Sequence, residues 1–273
     1  YIYPVDVALD NRMRNAYVSE VYKRDGREFN KIHETIPEEI PLTNEHACIY
    51  VATSIYDHGI QNPYEPISEE TVIQVGTALT EKRLENAEFF DNTGDNISSK
   101  NRQYCELTAL YWIWKNSKQD IVGLSHYRRH FILPENWVSW MEYYNIDVIL
   151  PVPLYVAPSI EKNYWERHDH SNWKHMMEFL KKNKPSDYEG ATKFFKSNLY
   201  SPCNMLIAKK TVINELCEWM FPILESAEYR GGKKEDVYQN RYLGFLSERL
   251  ITYFFESRKD QYNVAYADKV FLH

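Results

Sequence analysis

The sequence predicts an α/β fold, a sheet flanked by helices and preceded by a polar extension. Three observations predict it. Short apolar runs bounded by turn residues alternate with longer stretches whose apolar residues recur every three or four positions, the pattern of a layered sheet. The length, 273 residues, suits one large core, which can still grow as a single unit below about 300 residues. Hydrophobic residues make up 44% and charged residues 26%, a globular balance rather than a disordered or fibrous one.

Residues 1–45 are polar, with nine acidic and six basic side chains and little periodicity. A short helix is expected near 12–22, and Pro37-Glu38-Glu39-Ile40-Pro41 reads as a linker. A buried strand is predicted over 47–52, ending in Thr53-Ser54. After a loop rich in Pro, Asn and Gly comes a second strand at 72–75. The turn-prone run Asp91-Asn92-Thr93-Gly94-Asp95-Asn96 then leads to a helix over 102–115, capped by Ser98 or Ser99. Tyr104, Leu107, Tyr111 and Trp114 share one face of it. A strand at 120–125 delivers the polar run His126-Tyr127-Arg128-Arg129-His130, and another at 147–151 is stopped by proline. Residues 160–200 mix aromatic, His and Lys residues without a clean period, so loops and a mobile region are expected. A strand at 204–208, amphipathic helices at 212–228 and 241–257, and a closing strand at 262–266 complete the pattern.

The 32 basic and 39 acidic side chains give a charge of −7, which argues against duplex nucleic acid as a partner while permitting a local basic pocket. No apolar run is long enough to span a membrane, and no basic and apolar leader opens the chain. A cytoplasmic location is therefore expected, with at most peripheral contact at the inner face of the membrane. Cys48, Cys105, Cys203 and Cys217 form no CxxC pair and are expected to be free thiols. Aromatics reach 15%, with 22 Tyr, which suits flat-faced ligands as well as core filling.

The most informative cluster is the strand-to-loop switch at Ser125-His126-Tyr127-Arg128-Arg129. Ligands of open α/β sheets bind beyond the carboxyl ends of strands, and paired guanidinium groups suit phosphate oxygens. If that segment is extended, only one of the two arginines faces the pocket. The run 91–101 reads first as an Asx turn entering a helix. His168 and His170 have a spacing that would suit zinc, without the acidic partners of common dinuclear sites. A carboxylate beside aromatic rings also suits a sugar hydroxyl. Asp169, Glu166 and Asp187 are candidate bases of that kind, and the sequence does not distinguish them. Glu106 and Glu248-Arg249 are charges within apolar helices, facing either solvent or a pocket. Nothing matches GxGxxG, a P-loop, GxSxG or HExxH.

Five strings, DNTGDNISSKNRQYCELTALYWIWKN (91–116), DIVGLSHYRRHF (120–131), DVILP (147–151), YSPCNMLIAKKTVINELCEWMFPIL (200–224) and LGFLSERLITYFF (243–255), together resemble the bacterial DUF4422 family. The resemblance runs over roughly 47–268 and implies a GT-A-like, Rossmann-like mixed sheet in a domain spanning 46–273, with 1–45 as an N-terminal extension. It further implies a glycosyltransferase of capsule, exopolysaccharide or O-antigen synthesis, with galactofuranose a candidate sugar. The partners implied are a nucleotide-sugar donor and a saccharide or lipid-linked saccharide acceptor, with no nucleic acid. On this reading Ala52, Thr53, Asp91, Asn92, Asp95, Asn96, Lys100 and Glu106 bind the donor, together with His126, Tyr127, Arg128 and Arg129. Trp165, His168, His170 and Asn204 face the acceptor. Where most GT-A enzymes carry an Asp-x-Asp metal motif this chain has Ser125-His126-Tyr127, so no metal ligand is assigned. The arginines are expected to neutralise the leaving diphosphate, with Mn or Mg beside a UDP-sugar as the alternative. A non-catalytic module binding glycan or nucleotide sugar is the second reading, and a hydrolase with metal on His168 and His170 the third.

Overall fold

The computed structural model describes residues 7–32, 40–61 and 64–273. Parts of the expected linker, Pro37 to Glu39, lie outside the described residues. The chain runs from helix α1 (Val7–Arg24) to strands β1 (Ala47–Thr53), β2 (Glu70–Gln74) and β3 (Phe89–Phe90). Helices α2 (Asn101–Tyr104) and α3 (Leu107–Asn116) precede β4 (Ile121–His126), β5 (Arg129–Phe131) and α4 (Trp137–Tyr143). Next come β6 (Val148–Pro151), β7 (Leu154–Tyr155), α5 (Ile160–Trp165), α6 (His170–Asn183), α7 (Pro185–Phe194) and β8 (Leu199–Tyr200). The last segments are β9 (Leu206–Lys209), α8 (Lys210–Gly231), α9 (Tyr242–Ser257), β10 (Val264–Ala267) and β11 (Lys269–Phe271).

The central sheet is mixed, in the order β10-β6-β9-β4-β1-β2-β3, with β5 pairing β4 and β11. β1, β2, β3 and β4 are mutually parallel, whereas β9 is antiparallel to both β4 and β6. The chain builds outward from β1 to β3, then crosses back to lay β4 on the other side of β1. That reversal makes the carboxyl ends of β1 and β4 a topological switch point, where Ala52 pairs with His126.

Alternation along the strands feeds two cores. Tyr50, Val122, Leu124, Val148, Leu150 and Leu206 point to one face, under α3, α6, α8 and α9. Ile49, Ile121, Ile149 and Ile207 point to the other, against Trp137, Trp140 and Met141 of α4. Gly123 in β4 sits between Ile49 and Ile207, and an added Cβ would come within 2.9 Å of the Ile207 side chain. The mixed sheet with flanking helices is thus the architecture expected from the sequence.

Two expectations are corrected. Residues 160–200 are not loops but α5, α6 and α7, which bury Ile160, Tyr164, Trp173, Met176, Leu180 and Ala191. Their aromatic and polar residues pack on more than one side, which erases a simple period. The helix expected over 102–115 is broken at Cys105, whose φ of 51° and ψ of −130° end α2 and restart the chain at Glu106 as the N-cap of α3.

The polar extension forms a strap on the β10 edge. Ile32 N–H donates to Tyr266 O and Tyr266 N–H to Asn30 O, both at 2.8 Å, in a short parallel bridge. Tyr22 and Tyr266 share a buried hydroxyl bond of 2.8 Å, Arg27 pairs with Glu256 at 2.7 Å, and Lys31 pairs with Asp268. Asn15 donates to both oxygens of Asp268. A sheet edge that would otherwise offer open backbone groups is covered. All four cysteines are free, and among the described residues no helix is long and apolar enough to cross a membrane.

Candidate active site at the switch point

The β4 strand ends by turning sharply. Tyr127 N–H donates to Ala52 O at 3.2 Å, and Arg129 already pairs back on His126 as β5 begins. The guanidinium groups of Arg128 and Arg129 flank the ring of Phe271, 5.4 and 5.0 Å from its centroid. They reach different acidic neighbours. Arg128 faces the loop after β1 and acts on Asp57, and Arg129 acts on His126, Cys203 and Glu248. The Nε of Arg128 is buried without a partner among the described residues.

Opposite these arginines lies a knot of polar groups from four segments of the chain. His126 Nε2 lies 2.5 Å from the carbonyl of Cys203. A carbonyl only accepts, so Nε2 carries the proton and Nδ1 is bare. Burial lowers the His126 pKa; Glu106 opposes this, and Arg129 and Arg241 add to it, so the ring is neutral. Glu106 Oε1, 3.9 Å from Nε2, accepts from Asn204 Nδ2 at 2.7 Å. Asn204 is fixed in turn: Nδ2 also donates to Gly244 O at 3.0 Å, and Oδ1 accepts from Ser247 at 2.7 Å. Cys203 N–H donates to Glu248 at 2.7 Å, and the other oxygen of Glu248 pairs with buried Arg249, also at 2.7 Å. Burial raises the Glu248 pKa, opposed by Arg249 and the Cys203 N–H.

Backbone strain concentrates here. Of the four described non-glycine residues with positive φ, Cys105, Cys203 and Asn204 belong to this knot, at 51°, 76° and 53°. Such conformations cost on the order of 1 kcal/mol or more each and persist where surrounding contacts over-determine them. The Cys105 sulfur accepts from Arg241 Nε at 3.2 Å, bringing a third arginine to the rim. Burial pushes the Cys105 thiol up to about 12 and Cys203 to about 11, so neither is a thiolate nucleophile at neutral pH.

Past Asp57 and Tyr127, against the end of β1 and the start of β2, opens a cavity of about 620 Å³. Val51, Val72, Ile55 and Leu84 give it apolar walls, and Thr53, Ser54, Asp57 and Tyr127 form its polar lip. Asp57 accepts from Ser54 N–H at 2.6 Å; burial raises its pKa against that bond and the nearby Arg128. Ala52, Thr53, Glu106, His126, Tyr127, Arg128, Arg129 and Asn204 thus come together. Asp57, Arg241 and Cys203 join them unforeseen, and Glu248 joins them too, one of the helix charges expected to face either solvent or a pocket. Only Glu248 carried a sequence signal, as a charge in an apolar helix.

Other expected site residues are elsewhere. Asp91 is fully buried and accepts four bonds from the chain, from Gly76 N–H (2.8 Å), Thr77 N–H (3.0 Å), Ser98 (2.5 Å) and Thr108 (2.7 Å). Its lone pairs are filled, so it pins loops rather than meeting a ligand. Asn92 and Asn96 belong to the turn that follows, Asn96 closing it through Gly94 O and Ser98 N–H. Asp95 lies toward the far end of α3, bonded to Tyr111. Lys100 pairs with Glu228 of α8 at 2.7 Å. Asp169 is the N-cap of α6, accepting from Ser171 N–H at 2.9 Å and pairing with Lys234 at 3.0 Å. Asp187 braces Trp219 Nε1 at 2.8 Å and Tyr253, near the distal end of α9, and Glu166 is exposed at the end of α5. Of the three expected bases, Asp169 caps a helix, Asp187 braces two aromatic side chains and Glu166 faces solvent, all away from the switch. Trp165 stacks on His170, whose Nε2 meets Trp165 O at 2.7 Å, while His168 is buried against Phe245. The two histidines turn to different neighbours, and no three His, Cys, Asp or Glu side chains among the described residues could hold a metal ion together. The Ser125-His126-Tyr127 segment likewise offers no carboxylate pair for a cation.

Fold and site define an α/β protein with an open mixed sheet and a polar cluster at its switch point. The chain belongs to the family described as a domain of unknown function, DUF4422, whose model matches residues 58–259. Among solved structures it resembles the apo form of WbbM, a bifunctional glycosyltransferase, at TM-score 0.71 and 25% identity. That match covers 83% of this chain and 45% of that protein, so the chain spans less than half of its relative's length. The mannosyltransferase Ktr4p of S. cerevisiae matches at TM-score 0.41 and 12% identity, over 92% of this chain and 76% of that one, too distant to argue from. No curated protein matches the sequence.

Proposed function

We propose that the chain is a glycosyltransferase that moves a sugar from a nucleotide-sugar donor to a saccharide acceptor in surface-polysaccharide synthesis, galactofuranose being the candidate sugar. The observation that carries this reading is the convergence of Arg128, Arg129 and Arg241 beside the polar knot at the β1–β4 switch. The likeness to a bifunctional glycosyltransferase supports it.

The adjoining cavity suits a nucleoside, with apolar walls for the base and a polar lip for the ribose. The diphosphate then falls toward the arginines, whose forked donors stabilise the charge that grows as the sugar's anomeric bond breaks. Transfer breaks the bond from the anomeric carbon to the diphosphate oxygen and forms one to the acceptor oxygen. The acceptor proton must go to a base. Glu248 is taken up by Cys203 N–H and Arg249, and Asp57 lines the cavity assigned to the nucleoside, whereas Glu106, held by Asn204 alone among the described residues, faces His126 at the switch. Glu106 is therefore the candidate base and Asn204 the group that aims it. No step is routed through a metal ion, because the switch presents no carboxylate pair.

The test is thermal unfolding with UDP, UDP-sugars and other nucleotides in EDTA, followed by mass-spectrometric detection of transfer to saccharide acceptors. A ligand in hundredfold excess over its Kd stabilises by about 2.7 kcal/mol, which is easily read. We expect stabilisation by a nucleotide, its loss in Arg128→Ala, and nucleotide binding without turnover in Glu106→Gln. Failure of every nucleotide to stabilise the intact protein overturns the proposal.

A further inference from the structure

A second cavity lies away from the switch. It is a groove of about 910 Å³ beneath the N-terminal strap, running between α1, β7, the end of α9 and the β10 edge. β10 lies three strand intervals from β4, which at about 4.8 Å per interval is roughly 14 Å from the switch.

Its walls combine two features. The first is tyrosine: Tyr17, Tyr144 and Tyr155 line it and are each about half exposed (46%, 46% and 50%). Tyr17 and Tyr155 meet edge to face across its mouth, ring centroids 5.0 Å apart. The second is a set of oriented amides. Asn30, Asn198 and Asn263 each line the groove and each spend Nδ2 on backbone carbonyls: Val264 O for Asn30, Val156 O and Pro158 O for Asn198, Tyr144 O and Asn145 O for Asn263. A carbonyl accepts only from the NH₂ side, so each amide is fixed with its Oδ1 turned away from that anchor. None of the three Oδ1 atoms has a partner among the described residues.

Charge narrows the class of ligand. The lining holds four basic and four acidic side chains, and Arg27 with Glu256 and Lys31 with Asp268 are already paired within the protein. A nucleic acid or other polyanion would meet no excess of positive charge. Exposed aromatic faces with fixed carbonyl acceptors instead match a molecule that has apolar faces and many hydroxyl donors.

We propose that this groove is a saccharide-binding site that holds a neutral oligosaccharide away from the switch, by stacking on Tyr144 and Tyr155 and by hydroxyl donation to Asn30, Asn198 and Asn263. It does not rest on the transferase reading, since holding a glycan needs no turnover.

The test uses the full chain on an array of bacterial surface oligosaccharides, with hits measured by titration in solution. Binding is expected to favour oligomers over monosaccharides and to persist under saturating UDP. It should weaken at least tenfold in Tyr155→Ala and in Tyr144→Ala, whose folding is checked by circular dichroism and unfolding midpoint. The proposal is overturned if no oligosaccharide binds, if binding survives both substitutions, or if UDP displaces it, which would assign it to the proposed nucleoside cavity. It is overturned equally if the chain is a dimer in solution that protects Tyr144 and Tyr155 from solvent, since the occupant is then a second copy. Because UDP binding is read separately, loss of the transferase reading and loss of this one are distinguishable.

Discussion

Glu106 and Asp91 carry the same functional group and have opposite fates. Asp91 accepts four bonds in a fully dry setting, so Asp91→Ala orphans two backbone N–H groups and two hydroxyls. Breaking such a network costs about 3–5 kcal/mol, and we expect a loss of that size in denaturant unfolding. His168 gives a pH signature. Burial foremost, then Arg249 and Arg167, lower its pKa from 6.5 to about 4. Between those values the unfolded chain binds the proton and the folded one does not. The contribution is therefore fully present above pH 6.5, falls as pH drops toward 4, and is flat below that. The difference amounts to up to about 3 kcal/mol. His168→Phe, which keeps the ring stack on Phe245, should flatten the dependence of the unfolding midpoint on pH over that range. At this scale the sequence revealed side chains but not their partners. The 126–129 run was legible from its place after a strand. The filling of Asp91 by donors from residues 76, 77, 98 and 108 was not, because it depends on loops closing in space.

Helices and strands were more legible than the breaks between them. The runs at 47–52, 120–125 and 147–151 were readable because buried parallel strands are continuously apolar and short. The break at Cys105 had no Gly or Pro to announce it. It is held by one local contact, Asn101 Nδ2 donating to Cys105 O at 2.8 Å, and one tertiary contact, Arg241 on the sulfur. That break turns what would be one helix into two and presents Glu106 at the switch. The helices at 160–194 were missed for a different reason, their apolar residues being shared among several neighbours. Asp169 marks the start of one. Its bond from Ser171 N–H, together with Lys234, lowers its pKa to about 2. The cap is thus present above the ordinary carboxylate pKa of 3.8 and lost as pH falls from there toward 2. Asp169→Ala should destabilise the fold by about 1 kcal/mol at neutral pH, measured by urea unfolding, without affecting nucleotide response.

For the molecule as a whole, the two cores on opposite faces of one sheet leave its edges as the weak points. β3 is only two residues long, and the β10 edge is covered by the strap. A chain shortened to begin at residue 46 should lose the Tyr22–Tyr266, Arg27–Glu256 and Asn15–Asp268 contacts and expose the β10 edge. We expect a lower unfolding midpoint and self-association in size-exclusion chromatography. Retention of a monomer with an unchanged midpoint would show that the strap contributes no stability. The strap also ties together segments far apart in the sequence: Asn11 and Asn15 bond to Lys269 and Asp268, residues 258 and 253 positions later. On a ribosome adding about 5–20 residues per second, the first helix waits on the order of 12–50 s for its docking partners to be made. During synthesis its polar composition, poor in large apolar faces, is what keeps that waiting segment from sticking to its surroundings.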